Sequence, residues 1–76
     1  MADALTFMLN GETRNYPPPL SVAALLVRIG LDARKVAVEL NVAVELNEEI
    51  VPRSAYAATW VRYGDKLEIA HFIGRG

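Results

Sequence analysis

Val36-Ala37-Val38-Glu39-Leu40-Asn41 is followed without a break by Val42-Ala43-Val44-Glu45-Leu46-Asn47, the same six residues written twice. Each copy alternates apolar with mixed residues, the period-two pattern of a half-buried β-strand with Val, Val and Leu facing inward. The repeat is far too short for a solenoid unit, so no repeat architecture follows from it. Because its period is even, sliding by one copy leaves the same residues on the inward face. One strand over 36–46 would span about 36 Å, longer than a sheet in a small domain can pair. One copy is therefore expected in the sheet, with the other surplus. Glu48-Glu49 reads as the turn that follows, and Ile50-Val51 as a short strand closed by Pro52.

Upstream, residues 4–9 alternate, with Leu5, Phe7 and Leu9 on one face. Asn10-Gly11 comes next, a type I′ hairpin signal because both residues tolerate positive φ, and residues 12–16 make the return strand. Pro17-Pro18-Pro19 stops the sheet, since proline lacks the ladder donor; the run reads as a stiff connector rather than a ligand for a proline-reading domain. Ser21 is an N-cap candidate, and Val22, Leu25, Leu26 and Ile29 form one apolar helical face. Gly30 and Leu31 stand where a helix-ending glycine and its apolar follow-up belong.

Downstream, Ser54 is placed to cap a brief helical turn over 55–58, and Trp60 and Val61 read as core that closes it. Residues 63–66 make a turn, and 67–73 a last strand with Leu67, Ile69 and Ile73 facing in. The predicted order is β-β-α-β-β-β, a single domain over 1–76.

Composition narrows the function. Hydrophobic content of 53% with 22% charge fits a folded chain, and a net charge of −1 lacks the basic footprint of a nucleic-acid binder. With no cysteine there is no disulfide framework, thiolate metal site or thiol-based carrier chemistry. The longest apolar run, 22–27, is too short to cross a membrane, and Asp3 with no basic n-region reads against a signal peptide, so the expected location is the cytosol. His71 is the lone histidine, with no second ligand at metal spacing. Glu48 and Glu49 diverge on a turn, and Ser21 and Ser54 lack a local base. No catalytic residue and no metal site are expected. What remains is the end, Gly74-Arg75-Gly76. Its glycines make a thin backbone suited to threading a channel in another protein, against the plain reading of a frayed terminus.

The run Val42-Ala43-Val44-Glu45-Leu46-Asn47-Glu48-Glu49-Ile50-Val51-Pro52-Arg53-Ser54 resembles the ThiS family of thiamin-pathway sulfur carriers. Gly64-Asp65-Lys66-Leu67-Glu68-Ile69 and His71-Phe72-Ile73-Gly74 resemble it too, and Ser21-Val22 with Leu25-Leu26 matches its helix start. The resemblance implies an α+β, ubiquitin-like β-grasp fold, a mixed sheet wrapped on one main helix. It also implies that Gly76 is the point of covalent attachment. A ThiF-type adenylyltransferase, using ATP and Mg²⁺ that this chain does not itself bind, would make a terminal acyl-adenylate. A sulfur donor such as a cysteine desulfurase would convert it to a thiocarboxylate, and thiazole synthase would take the sulfur. In that reading Gly74 and Arg75 form the flexible tail, and Phe72 and Ile73 are candidate partner contacts. Neither nucleic acid nor membrane enters.

Two features depart from the family pattern. The penultimate residue is Arg75 where the family has glycine, and its long, permanently charged side chain is expected to obstruct a narrow channel. The duplicated strand is the other; an exact repeat of this length reads as recent or deliberate, natural or engineered, and carries the alternative of an altered β-grasp variant without carrier activity. Either copy fits the same slot, so the connections decide, and the second copy is expected to win narrowly. The surplus copy would offer an edge to another chain in a strand-exchanged dimer. The readings outside this one are a ubiquitin-like binding module with no covalent cycle, which Arg75 favours, and the sister carrier of molybdopterin synthesis, which Ile50-Val51-Pro52-Arg53 disfavours.

Overall fold

The computed structural model describes residues 4–31 and 40–73, with backbone only at 40, 41 and 71–73. Five strands form one mixed sheet: β1 (Leu5–Leu9), β2 (Glu12–Tyr16), β3 (Leu40–Leu46), β4 (Glu49–Val51) and β5 (Lys66–Ile73). Their order is β2-β1-β5-β3-β4, with β1 and β5 parallel and every other pair antiparallel. A seven-residue helix, α1 (Val22–Arg28), covers one face. This is the α+β β-grasp arrangement that the sequence predicts.

The core is the inward period-two set of the strands meeting the helical face. Leu5, Phe7 and Leu9 of β1, Leu67 and Ile69 of β5, Val44 and Val51 pack on Val22, Leu25 and Leu26, with Leu20 and Val61 closing the end. Val44, Val22, Leu25 and Leu67 are completely buried. The second copy of the repeat therefore supplies the core strand. Val42 and Leu46 flank Val44 and pack partly against the core. Leu40 and Asn41, the last two residues of the first copy, extend β3 to pair with Ile73 and Phe72. Residues 36–39 lie outside the described part, as does any exchange of that segment between chains.

Both helix ends are closed by the residues predicted to close them. Ser21 Oγ accepts from the Ala24 N–H at 3.0 Å. The two preceding amides are taken by the segment between β4 and β5: Val22 N–H donates to the Thr59 carbonyl (2.9 Å) and Ala23 N–H to that of Tyr56 (3.0 Å). At the other end Gly30, with φ +87°, donates to the Val27 carbonyl (3.1 Å), and Leu31 to that of Leu26 (2.8 Å). These two bonds form a Schellman motif, and Leu31 makes the apolar contact that accompanies it.

The structure corrects three local expectations. Trp60 is not core but 51% exposed. Its segment is extended, bridged to Ser21, so neighbours alternate in direction and Val61 alone points inward. Ser54 caps nothing. A 3₁₀ turn over Arg53–Ala55 begins two residues earlier, directly after Pro52, and has no side-chain cap. The β3–β4 turn is Asn47-Glu48 rather than Glu48-Glu49: Leu46 pairs with Glu49, and φ is +51° and +71° at the two loop residues. Positive φ at both makes it a type I′ turn, matching Asn10 (+50°) and Gly11 (+82°) of the first hairpin.

Candidate functional site

The chain reaches its tail through β5, the central strand, and two asparagines hold β5 in place. On one side, the Met8 N–H donates to the Asp65 carbonyl and the Asn10 N–H to that of Leu67, both at 2.9 Å. At Asn10 the main chain of β1 turns away. The Asn10 side chain then supplies the next rung, its Nδ2 donating to the Ile69 carbonyl (3.0 Å) and its Oδ1 accepting from the Ile69 N–H (2.7 Å). On the other side, the Asn47 N–H donates to the Lys66 carbonyl (2.8 Å), and its Oδ1 accepts from the Lys66 N–H (2.9 Å). Its Nδ2 donates to Asp65 Oδ1 (3.0 Å), while Asp65 Oδ2 accepts from the Arg62 N–H (2.7 Å).

Each asparagine thus does two things at once. A short carboxamide tolerates the left-handed backbone of a type I′ turn, and it imitates a peptide group toward the neighbouring strand. The sequence reading took Asn10 as a turn residue only and Asn47 as the last residue of the repeated strand. The second role leaves no local trace, because Ile69 lies 59 residues from Asn10.

Across the sheet from α1, the register assembles an open face. Glu68 stands opposite Glu45 and Ala70 opposite Ala43, and Ile50 lies beside Glu45. Ile50 is 71% exposed, and Ala43, Glu68 and Ala70 are exposed as well. This face, small and apolar with a carboxylate pair at its centre, was not singled out from the sequence. The sign that marks it is Ile50, a large apolar residue on a three-residue edge strand. The predicted contacts Phe72 and Ile73 continue β5 as backbone, paired with Asn41 and Leu40; their side chains lie outside the described residues. Gly74, Arg75 and Gly76 lie outside them too.

Among the described residues no other region gathers reactive groups. Among the described residues there is no cluster of three metal-ligating side chains, and no helix is long and apolar enough to cross a membrane. A groove of about 400 Å³ runs between α1 and the 3₁₀ turn, lined by Leu26, Val27, Leu31, Val42, Arg53 and Tyr56 among others. It is largely apolar and holds no acid–base pair.

The ThiS family pattern matches residues 7–74, from the middle of β1 to the first residue after β5. The chain belongs to the ThiS family. The crystal structure of the thiamine biosynthesis protein ThiS from Geobacter metallireducens superimposes on it with a TM-score of 0.72 at 31% identity, covering 95% of this chain and all of that one. Two similar sequences are thiazole synthases, from Paramagnetospirillum magneticum (50% identical over 95% of this chain) and Magnetococcus marinus (40% over 90%). The chain spans about a fifth of the length of each, 20% and 19%. A ThiS-like segment is thus contained within proteins named thiazole synthase.

Proposed function

We propose that this ThiS-family chain is a sulfur carrier of thiamin biosynthesis that acts through the carboxylate of Gly76. One observation carries the reading: the family match runs along β5 to the point where the central strand passes into Gly74-Arg75-Gly76. The chemistry asks nothing more of the chain's own side chains. A carboxylate is a poor electrophile. A ThiF-type adenylyltransferase with Mg·ATP would join it to AMP, releasing pyrophosphate. Sulfide, delivered by a donor such as a cysteine desulfurase, would attack the acyl carbon and expel AMP to leave the thiocarboxylate, a nucleophile at neutral pH. Transfer to thiazole synthase is supported by the relatives in which the two occur in one protein. The carrier supplies reach, through the tail, and recognition, through the sheet face that carries Ala43, Ile50 and Ala70. A cytosolic location fits these partners.

The test is incubation with the adenylyltransferase, Mg·ATP and sulfide, followed by intact mass. The expected result is replacement of one oxygen by sulfur, mapped to Gly76. The second reading, a binding module without a covalent cycle, is favoured by Arg75. It predicts partner binding with no change of mass, even for Arg75→Gly.

A further inference from the structure

We propose that the edge of β5 beyond Asn10 is a docking slot for a strand of the adenylyltransferase. An extended segment of that enzyme pairs with the main chain of His71 and Ile73 and sets an apolar side chain into the cavity beside Ile69. Successive residues of β5 direct their N–H and carbonyl to opposite sides. Lys66 faces β3, where Asn47 bonds both groups, and Ile69 faces β1, where Asn10 does the same. By that alternation Ala70 and Phe72 point to β3, opposite Ala43 and Asn41, and His71 and Ile73 point to the β1 side. The main chain of β1 pairs with β5 at Lys66 and Leu67 and then leaves in the Asn10-Gly11 turn. The Asn10 carboxamide makes the last rung. Beyond it the N–H and carbonyl groups of His71 and Ile73 have no partner among the described residues. An open edge of this kind is a template for another strand. The Asn10-Gly11 turn stands at its head and fixes where an incoming strand ends.

On the helix side the slot has a floor. Asn10 and Ile69, which form the last rung, also line a cavity of about 350 Å³. Its apolar wall is Leu9, Ile29, Leu31 and Ile69, and the solvent-facing ion pair of Arg14 with Glu12 (3.2 Å) borders it. In strand addition the main chain supplies affinity, and such a pocket selects the side chain that alternates into it. An aliphatic side chain suits this wall. The occupant follows from the carrier reading, on which this proposal rests. Gly76 is three residues past Ile73, so its carboxylate reaches no more than about 11 Å beyond the end of β5. An enzyme that closes around that carboxylate therefore stands against the last rungs of the strand. A segment laid along His71 and Ile73 holds β5 extended up to the tail and aims the carboxylate through main chain alone.

Amide hydrogen exchange reads the slot residue by residue. In the free chain exchange should alternate, slow at Ala70 and Phe72 and at least about tenfold faster at His71 and Ile73. Adding a ThiF-type adenylyltransferase without ATP should slow both fast amides by at least about tenfold. A chain made by chemical synthesis with a methyl group on the Ile73 nitrogen should keep its Tm and bind the enzyme at least about fivefold more weakly, the scale of a lost hydrogen bond. The same methyl on the Phe72 nitrogen faces β3 and should lower the Tm instead. Slow exchange at His71 and Ile73 in the free chain would mean that another part of the chain covers the edge, and overturns the proposal. Uniform exchange from 70 to 73, or full affinity of the chain methylated at Ile73, overturns it as well. Binding and adenylation with both amides still fast overturn the slot and leave the carrier reading intact, whereas the absence of any binding removes both.

Discussion

The Asn10 carboxamide bonds both the N–H and the carbonyl of Ile69, at 2.7 and 3.0 Å, and so extends a parallel ladder beyond the point where its strand has turned away. A residue chosen locally for a tight turn thereby fixes the central strand five residues ahead of the tail. Two substitutions separate the roles. Asn10→Gly keeps the turn and deletes both bonds, and should cost about 1–2 kcal/mol in urea unfolding. Asn10→Ala adds the left-handed backbone penalty and should cost about 1 kcal/mol more. Wild-type stability in the glycine variant would remove the clamp from the account.

Glu48 is the strained member of the second hairpin. Its φ of +71° is one that a type I′ turn ordinarily gives to glycine. Glu48→Gly should stabilise the fold by about 1 kcal/mol, seen as a rise in Tm of about 4–8 °C. An unchanged or lower Tm contradicts that strain.

The two serines once equal as cap candidates now differ. Ser21→Ala removes the bond to the Ala24 amide and should destabilise by about 1 kcal/mol, whereas exposed Ser54→Ala should stay within about 0.5 kcal/mol. Equal losses in chemical denaturation would mean that the cap carries no stability.

Arg75→Gly should raise the rate of terminal adenylation by at least about tenfold, equivalent to about 1.4 kcal/mol of barrier. Single-turnover measurement of the acyl-adenylate with the purified adenylyltransferase reads this directly. Equal rates would show that the channel accommodates the guanidinium.

Phe72 shares strand parity with the exposed Glu68 and Ala70. Phe72→Ala should weaken binding to the adenylyltransferase in titration calorimetry, with less than about 1 kcal/mol lost in stability. A stability loss near 3–4 kcal/mol would assign the ring to the core instead.

Much of this fold is local and so legible residue by residue. The Asn10-Gly11 turn, the Ser21 cap, the Gly30-Leu31 ending and the alternation of Leu5, Phe7 and Leu9 each need only near neighbours. The family resemblance is local in the same sense, since it lies in short runs such as Ile50-Val51-Pro52-Arg53 and Gly64-Asp65-Lys66. Where neighbours leave a tie, the reading slipped. Trp60 and Val61 are both apolar, and only the strand-like bridge to Ser21 decides that Val61 faces in.

By itself, then, the sequence determined which segments are strands, which face of each is apolar, where the helix starts and stops, and that one strand is written twice. Tertiary structure decided which copy lies against Ile69, that Asn10 and Asn47 clamp β5 from its two sides, and that Ala43, Ile50 and Ala70 share an open face. The physical reason is range. Turns, caps and periodicity are set by interactions within a few residues, whereas identical side chains in two copies cancel locally. The choice between them falls to loop closure and to partners dozens of residues away.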